Sequence, residues 1–143
     1  AMVTQIGITA FTPLLCERRV AQFSTRSVAR WQKTCLEACK QSQRPWVLRL
    51  HQQKLLAEMF NTDGGAGRVV WIADTRGGYH AAVQKLKADE LRLLVGPEGG
   101  FSPSEWKLLS DTDIEPVTLA KTVLRTETAA VAMVSAAITR LGV

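Results

Sequence analysis

Two short stretches carry the residues best suited to hold a small molecule against the main chain. The first, Leu93-Leu94-Val95-Gly96-Pro97-Glu98-Gly99-Gly100-Phe101-Ser102-Pro103-Ser104-Glu105, reads as a strand that runs into a glycine-rich turn and then into a helix. Ser102 is placed to cap that helix, Pro103 suits its first position, and Glu105 completes an S-x-x-E capping box. Glycines let a ligand approach the backbone closely, and open α/β sheets bind ligands beyond the carboxyl ends of their strands. The turn has neither the lysine of G-x-x-x-x-G-K-[ST] nor the spacing of G-x-G-x-x-G, and Glu98 would repel a polyphosphate. The second stretch, Leu119-Ala120-Lys121-Thr122-Val123-Leu124-Arg125-Thr126-Glu127-Thr128-Ala129-Ala130, leads from a short strand into a helix. Thr126 is its expected N-cap, with Glu127 near the positive end of the helix dipole. Taken singly, either stretch is also what an ordinary connection or helix cap looks like.

The basic residues are unevenly spread. Residues 1–54 hold nine Lys/Arg and two acids, a balance of +7, whereas residues 55–143 hold nine Lys/Arg and eleven acids, a balance of −2. A positive field concentrated in one third of the chain suits a polyanionic partner, nucleic acid before membrane, although a merely solvated basic face has the same composition. His51 and His80 stand far apart without C-x-x-C partners, so no metal is expected. Cys16, Cys35 and Cys39 cannot all pair within one chain, and no basic-apolar-small signal pattern opens the sequence, which makes a reducing cytoplasm the expected location.

These segments must be positioned by alternating elements. Strand-like runs occur at 11–15, 46–50, 68–73, 91–95 and 115–119, and helical patterns at 25–41, 52–60, 79–87, 103–110 and 126–141. Alternation of this kind predicts βαβ units and an α/β fold with a mostly parallel sheet flanked by helices. In the helix at 25–41, Val28, Trp31, Cys35, Ala38 and Cys39 recur at three-to-four spacing and predict a buried stripe with the two thiols as core residues. The closing helix is apolar almost all round, from Ala129 to Ile138, and is expected to be central or packed against a second subunit. Its apolar run falls short of the ~20 residues needed to span a bilayer, so no membrane association is expected. With 143 residues and no repeat or linker, one domain over 1–143 is expected.

Taken together, the segments resemble the 16S ribosomal RNA uridine N3-methyltransferases of the SPOUT (trefoil-knot) class. The glycine motif Leu-Ile-Gly-Pro-Glu-Gly-Gly-Phe-Ser is matched from Leu94 to Ser102 with Val95 for Ile. The signature Leu-Gly-x-Arg-Ile-Leu-Arg-Thr-Glu-Thr-Ala is matched from Leu119 to Ala129, with Ala120 for Gly, Thr122 for Arg and Val123 for Ile. Pro13-Leu14-Leu15-Cys16-Glu17-Arg18-Arg19 is similar to the family's Pro-Leu-x-Thr-Glu-Arg-Ser. Arg30-Trp31 and the run from Glu37 to Arg44 fall where its Arg-Trp and Glu-Ala-x-x-Gln-Ser-x-Arg elements belong. The departures matter: Ala120 stands where the family has a loop glycine and is expected to crowd the bound cofactor, and Thr122 stands where it has a basic residue and is expected to weaken a substrate or dimer contact.

The resemblance implies a C-terminal deep trefoil knot, a homodimer, and S-adenosyl-L-methionine as cofactor. It implies methyl transfer to N3 of a uridine in the RNA of the small ribosomal subunit. Cofactor contacts are expected at Leu94, Val95, Gly96, Pro97, Gly99, Gly100, Leu119, Ala120, Val123, Leu124 and Thr126. The catalytic candidates are Arg125, Glu98 and Arg18, with Arg125, Arg18 and Arg44 to hold the uridine or its phosphate and Glu98 to accept the N3 proton. Arg18, Arg19, Arg30, Lys33 and Arg44 are expected to meet RNA. Family members also carry an N-terminal PUA-like RNA-binding domain, absent from this chain, which begins inside the helix expected before Gly7 and so reads as a catalytic domain from a longer protein. The rival readings are a non-catalytic RNA-binding or ribosome-assembly module and an α/β enzyme of other chemistry; binding of S-adenosylmethionine separates them.

Overall fold

A computed structural model of the chain describes residues 1–19, 24–60, 67–76 and 87–142. Helix α1 (Met2–Ile6) stops at Gly7, whose φ of 136° is open to glycine. Strands β1 (Ala10–Phe11) and β2 (Leu14–Leu15) follow, then α2 (Thr25–Gln41), β3 (Arg49–Leu50) and β4 (Lys54–Leu55). A 3-10 turn over Leu56–Met59 leads toward β5 (Arg68–Ala73), β6 (Glu90–Leu94), α3 (Pro103–Ser110), β7 (Glu115–Val117) and α4 (Thr126–Leu141). Among the described residues every strand pairing is parallel: β1 with β3, β2 with β4, and a three-stranded sheet in the order β6-β5-β7. The expected parallel α/β architecture is therefore present.

The central strand β5 explains why the sheet is covered on both sides. Successive side chains of a strand point to opposite faces, and here Trp71 and Ile72 are both essentially excluded from solvent. Trp71 joins Val117, Met133 and Ala137 beneath α4, while Ile72 joins Cys16, Leu56, Leu94, Phe101 and Leu109 on the α3 side. The indole of Trp71 donates to Glu115 Oε2 at 2.8 Å and carries the Arg140 guanidinium 4.8 Å from its ring centre, so its polar edge is satisfied. Helix α2 is capped by Ser24 Oγ, which accepts from Ser27 N at 3.2 Å, and it buries Cys35, Ala38 and Cys39 as the periodicity predicts. Val28 lies outside that stripe, exposed.

Several expectations are corrected. The run at 11–15 is two strands broken at Thr12-Pro13, where proline supplies no ladder donor. The run at 46–50 pairs only at Arg49–Leu50, and Trp46 and Val47 are exposed. The helix expected at 52–60 is instead β4 and a single 3-10 turn, because Lys54 N donates to Pro13 O and Glu58 Oε2 accepts Leu55 N. Strand pairing there overrides a helical pattern. The helix expected at 79–87 lies outside the described residues except for Lys87. Helix α4 buries one face, through Ala129, Met133, Val134 and Ala137, against α1 and the sheet, and leaves Ala130, Val131 and Ala132 half-buried, so of the two expected placements it is not a central helix of this chain.

Candidate functional site

The three strands β6, β5 and β7 end side by side, and the loops leaving their carboxyl ends surround an open cavity of about 800 Å³. From β5 come Asp74, Thr75 and Arg76; from β6, the glycine turn; from β7, residues 118–120 and 122–125. The size suits a ligand of several hundred daltons. Val95, Leu119, Leu124, Phe101 and Trp106 supply apolar wall.

The glycine turn is built as its sequence predicts. Ser102 Oγ accepts from Glu105 N at 3.2 Å and Glu105 Oε2 accepts from Ser102 N at 2.8 Å, which closes the capping box of α3 with Pro103 at its start. Gly96 passes so close to Phe101 that a Cβ would stand 2.9 Å from the ring. Gly100 has φ +68°, and nothing lies within 4 Å of where its Cβ would be. Gly96 and Gly100 therefore present bare backbone to the cavity, and at Gly100 a side chain would project into open space.

Two further loops are fastened to this turn. Thr126 Oγ1 donates to Gly96 O at 3.3 Å, tying the start of α4 to the end of β6. This corrects the expected cap: Arg125 is the N-cap residue, its side chain making no capping bond, and Thr126 is the first residue of the helix. The loop after β2 is held at three points: Arg18 Nη1 donates to Gly99 O at 3.3 Å, Glu17 N donates to Glu105 Oε1 at 2.9 Å, and Ser104 Oγ donates to Glu17 Oε1 at 2.7 Å. The hydrogen bonds from Ser104 and then Ser102 hold the Glu17 carboxyl below its ordinary range. Beneath them, burial and then the charge of Glu105 push the Cys16 thiol up to about 11.

Of the residues singled out from sequence, Val95, Gly96, Pro97, Gly100, Leu119, Ala120, Val123, Leu124 and Thr126 line the cavity, together with Arg18, Glu98 and Arg125. Leu94 points into the core beneath, and Gly99 stands against Arg18, whose Cβ and carbonyl oxygen lie 3.2 and 3.3 Å from the position of an added Cβ. The remaining basic residues are dispersed. Arg19 donates to Cys16 O at 3.3 Å, Arg30 and Lys33 are exposed on α2, and Arg44 donates to Thr4 O and Gly7 O with its guanidinium over Trp46. Arg44 is thus committed to joining α1 to the end of α2. Sequence reasoning missed Asp74, Thr75, Arg76 and Trp106; the signal available was the rule that parallel strands gather their function at their carboxyl ends, applied to β5.

An α/β fold whose loops gather round a cavity at three adjacent strand ends is here an RNA methyltransferase domain: the chain belongs to the RNA methyltransferase domain family, whose model matches residues 1–138. It is similar to ribosomal RNA small subunit methyltransferase E of Synechocystis sp., 32% identical over 130 residues that cover 88% of this chain and 43% of the relative. The same protein of Bacillus subtilis is 32% identical over 146 residues, covering 93% of this chain and 56% of the relative. Among solved structures, ribosomal RNA small subunit methyltransferase E from Neisseria gonorrhoeae bound to S-adenosyl methionine superposes with a TM-score of 0.84 at 27% identity, over 96% of this chain and 57% of that one. A putative methyltransferase from Legionella pneumophila in complex with the bound cofactor SAM gives 0.80 at 28% identity, over 96% and 59%. The chain spans about half the length of the curated relatives it matches.

Proposed function

We propose that this chain is the catalytic part of an enzyme that methylates N3 of a uridine in small-subunit ribosomal RNA, with S-adenosyl-L-methionine as methyl donor. The observation that carries the reading is the meeting of the two motif-bearing loops, 95–100 and 118–126, around one cavity of about 800 Å³. Two SAM-bound proteins of the same fold support the choice of cofactor. When bound, the cofactor supplies a methyl group on a positively charged sulfur, ready for in-line displacement. The apolar wall of Val95, Leu119 and Leu124 suits an adenine, and the glycine backbone leaves room for close main-chain approach. Arg125, exposed at the start of α4, and Arg18, moored to Gly99, are positioned to hold the uridine. Glu98, exposed on the turn, is the proposed acceptor of the N3 proton. Orientation supplies most of the acceleration in such a displacement.

The same reading takes residues 118–125 as part of a deep trefoil knot and the active unit as a cytoplasmic homodimer, the half-buried Ala130, Val131 and Ala132 of α4 meeting the second copy. It also gives the anchoring of the small subunit to a PUA-like domain of a longer protein. The test is calorimetric titration of S-adenosylmethionine into the chain and its Gly99→Val variant, followed by transfer of labelled methyl to small-subunit particles. The expected result is cofactor binding that Gly99→Val weakens at least tenfold, because the added side chain meets Arg18 and forces the glycine turn bonded to it out of place, and label on uridine N3. Absence of cofactor binding, or label on another atom, refutes the assignment.

A further inference from the structure

Arg76, a cation at the cavity mouth, lies outside every segment that carries the family resemblance. Arg76 follows the end of β5, and its side chain is 65% exposed while that of Asp74 is 11% exposed. Asp74 is itself anchored across the sheet, its N donating to Val117 O at 3.1 Å and its O accepting Thr118 Oγ1 at 2.9 Å. From that post the Asp74 carboxylate accepts Arg76 Nε at 3.2 and 3.3 Å and Arg76 N at 3.0 Å. The guanidinium carbon, Cζ, sits over the Trp106 ring, 4.1 Å from its centre, and Trp106 stands edge-on to the buried Phe101 at 5.6 Å. The Nε of the guanidinium and its side toward Trp106 are thus occupied. Its two terminal nitrogens have no partner among the described residues.

We propose that Arg76 is a phosphodiester-binding residue, its free edge clamping a backbone phosphate of single-stranded RNA beside the nucleotide that enters the cavity. A guanidinium fork matches two oxygens of a phosphate, and one already fixed in plane by a carboxylate and a ring loses little freedom on binding. Arg18 and Arg125 are exposed on the same rim, so three cations face two anions, Asp74 and Glu98. Three arginines spread around one mouth outnumber the single carboxylate of a bound cofactor and suit a chain of phosphates. This rests on the reading of the cavity as an RNA-methylating site.

The test measures binding of a short single-stranded oligouridylate across a salt series, with S-adenosylmethionine affinity measured in parallel, for the wild type, Arg76→Ala and Arg76→Lys. Arg76→Ala is expected to weaken RNA binding about tenfold and to flatten the log–log salt slope by about 0.7, with cofactor affinity unchanged. Arg76→Lys keeps the charge and hence the slope, but loses the fork and part of the affinity. Unchanged RNA binding by Arg76→Ala overturns the proposal, as does a wild type that ignores the oligouridylate. So does a drop in cofactor affinity, which would hand Arg76 to the cofactor carboxylate. A wild type that binds no cofactor refutes instead the function of the cavity.

Discussion

Replacing Gly96 with alanine adds one methyl group at the point where the end of β6 passes the Phe101 ring. The new carbon would stand 2.9, 3.2 and 3.3 Å from three ring atoms. That is inside the separation at which carbon atoms attract, so something must move. The ring has little room: Phe101 is 4% exposed, packed among Cys16, Leu56, Ile72, Leu94 and Leu109, with Trp106 edge-on at 5.6 Å. Overpacking of a close-packed core costs about 1–3 kcal/mol, or roughly 3–10 °C in Tm for a domain of this size. Urea unfolding of Gly96→Ala, Phe101→Leu and the double variant gives the cycle. If the clash is with the ring, shortening it relieves the strain, and the double variant should be about 1–2 kcal/mol more stable than the sum of the single effects predicts. Cofactor affinity should fall in Gly96→Ala and recover in part in the double variant. Strictly additive effects, or a Gly96→Ala protein as stable as wild type, would refute the steric account.

Glu105→Ala should destabilise by about 2–4 kcal/mol, because two backbone donors, Ser102 N and Glu17 N, lose their buried acceptor, with Glu105→Gln less severe; thermal melting decides. Cys16 makes stability fall in alkali: its thiol ionises near 9.0 when unfolded and at about 11 when folded, so its contribution is whole below pH 9 and lost as pH rises through 11. Cys16→Ala should abolish that part of the slope, and urea midpoints that fall equally in both proteins over that range would exclude it.

What could be read in advance was what local chemistry dictates. The capping box from Ser102 to Glu105 needs only three residues and a serine, and it stands as read. The buried stripe at Cys35 and Cys39 follows from period alone. Positions 52–60 failed because their backbone partners are forty residues away, at Pro13 and Leu14, and no window on the sequence contains them. Thr126 has every property of a cap, yet its hydroxyl serves Gly96, a partner fixed by how the sheet brings β6 and α4 together. Arg44 has in sequence every property of a charge free to meet RNA, yet its guanidinium is engaged with carbonyls of α1 and its loop. Asp74 and Arg76 were invisible for the opposite reason, being ordinary turn residues until β5 is known to lie between β6 and β7.

The ties that hold the Arg18 loop also set an order of events in folding. Arg18 meets Gly99 across 81 residues and Glu17 meets Glu105 across 88, whereas α2 and α3 close their caps over three. Closing a long loop costs little more at equilibrium than closing a shorter one, but contacts of this separation form slowly. During synthesis at 5–20 residues per second, the loop bearing Arg18 therefore emerges roughly 4–16 s before its partner exists. Helices are therefore expected to form first and the cavity mouth last, so competence to bind ligand should be the final property gained on refolding, arriving after helical signal has already reached its plateau.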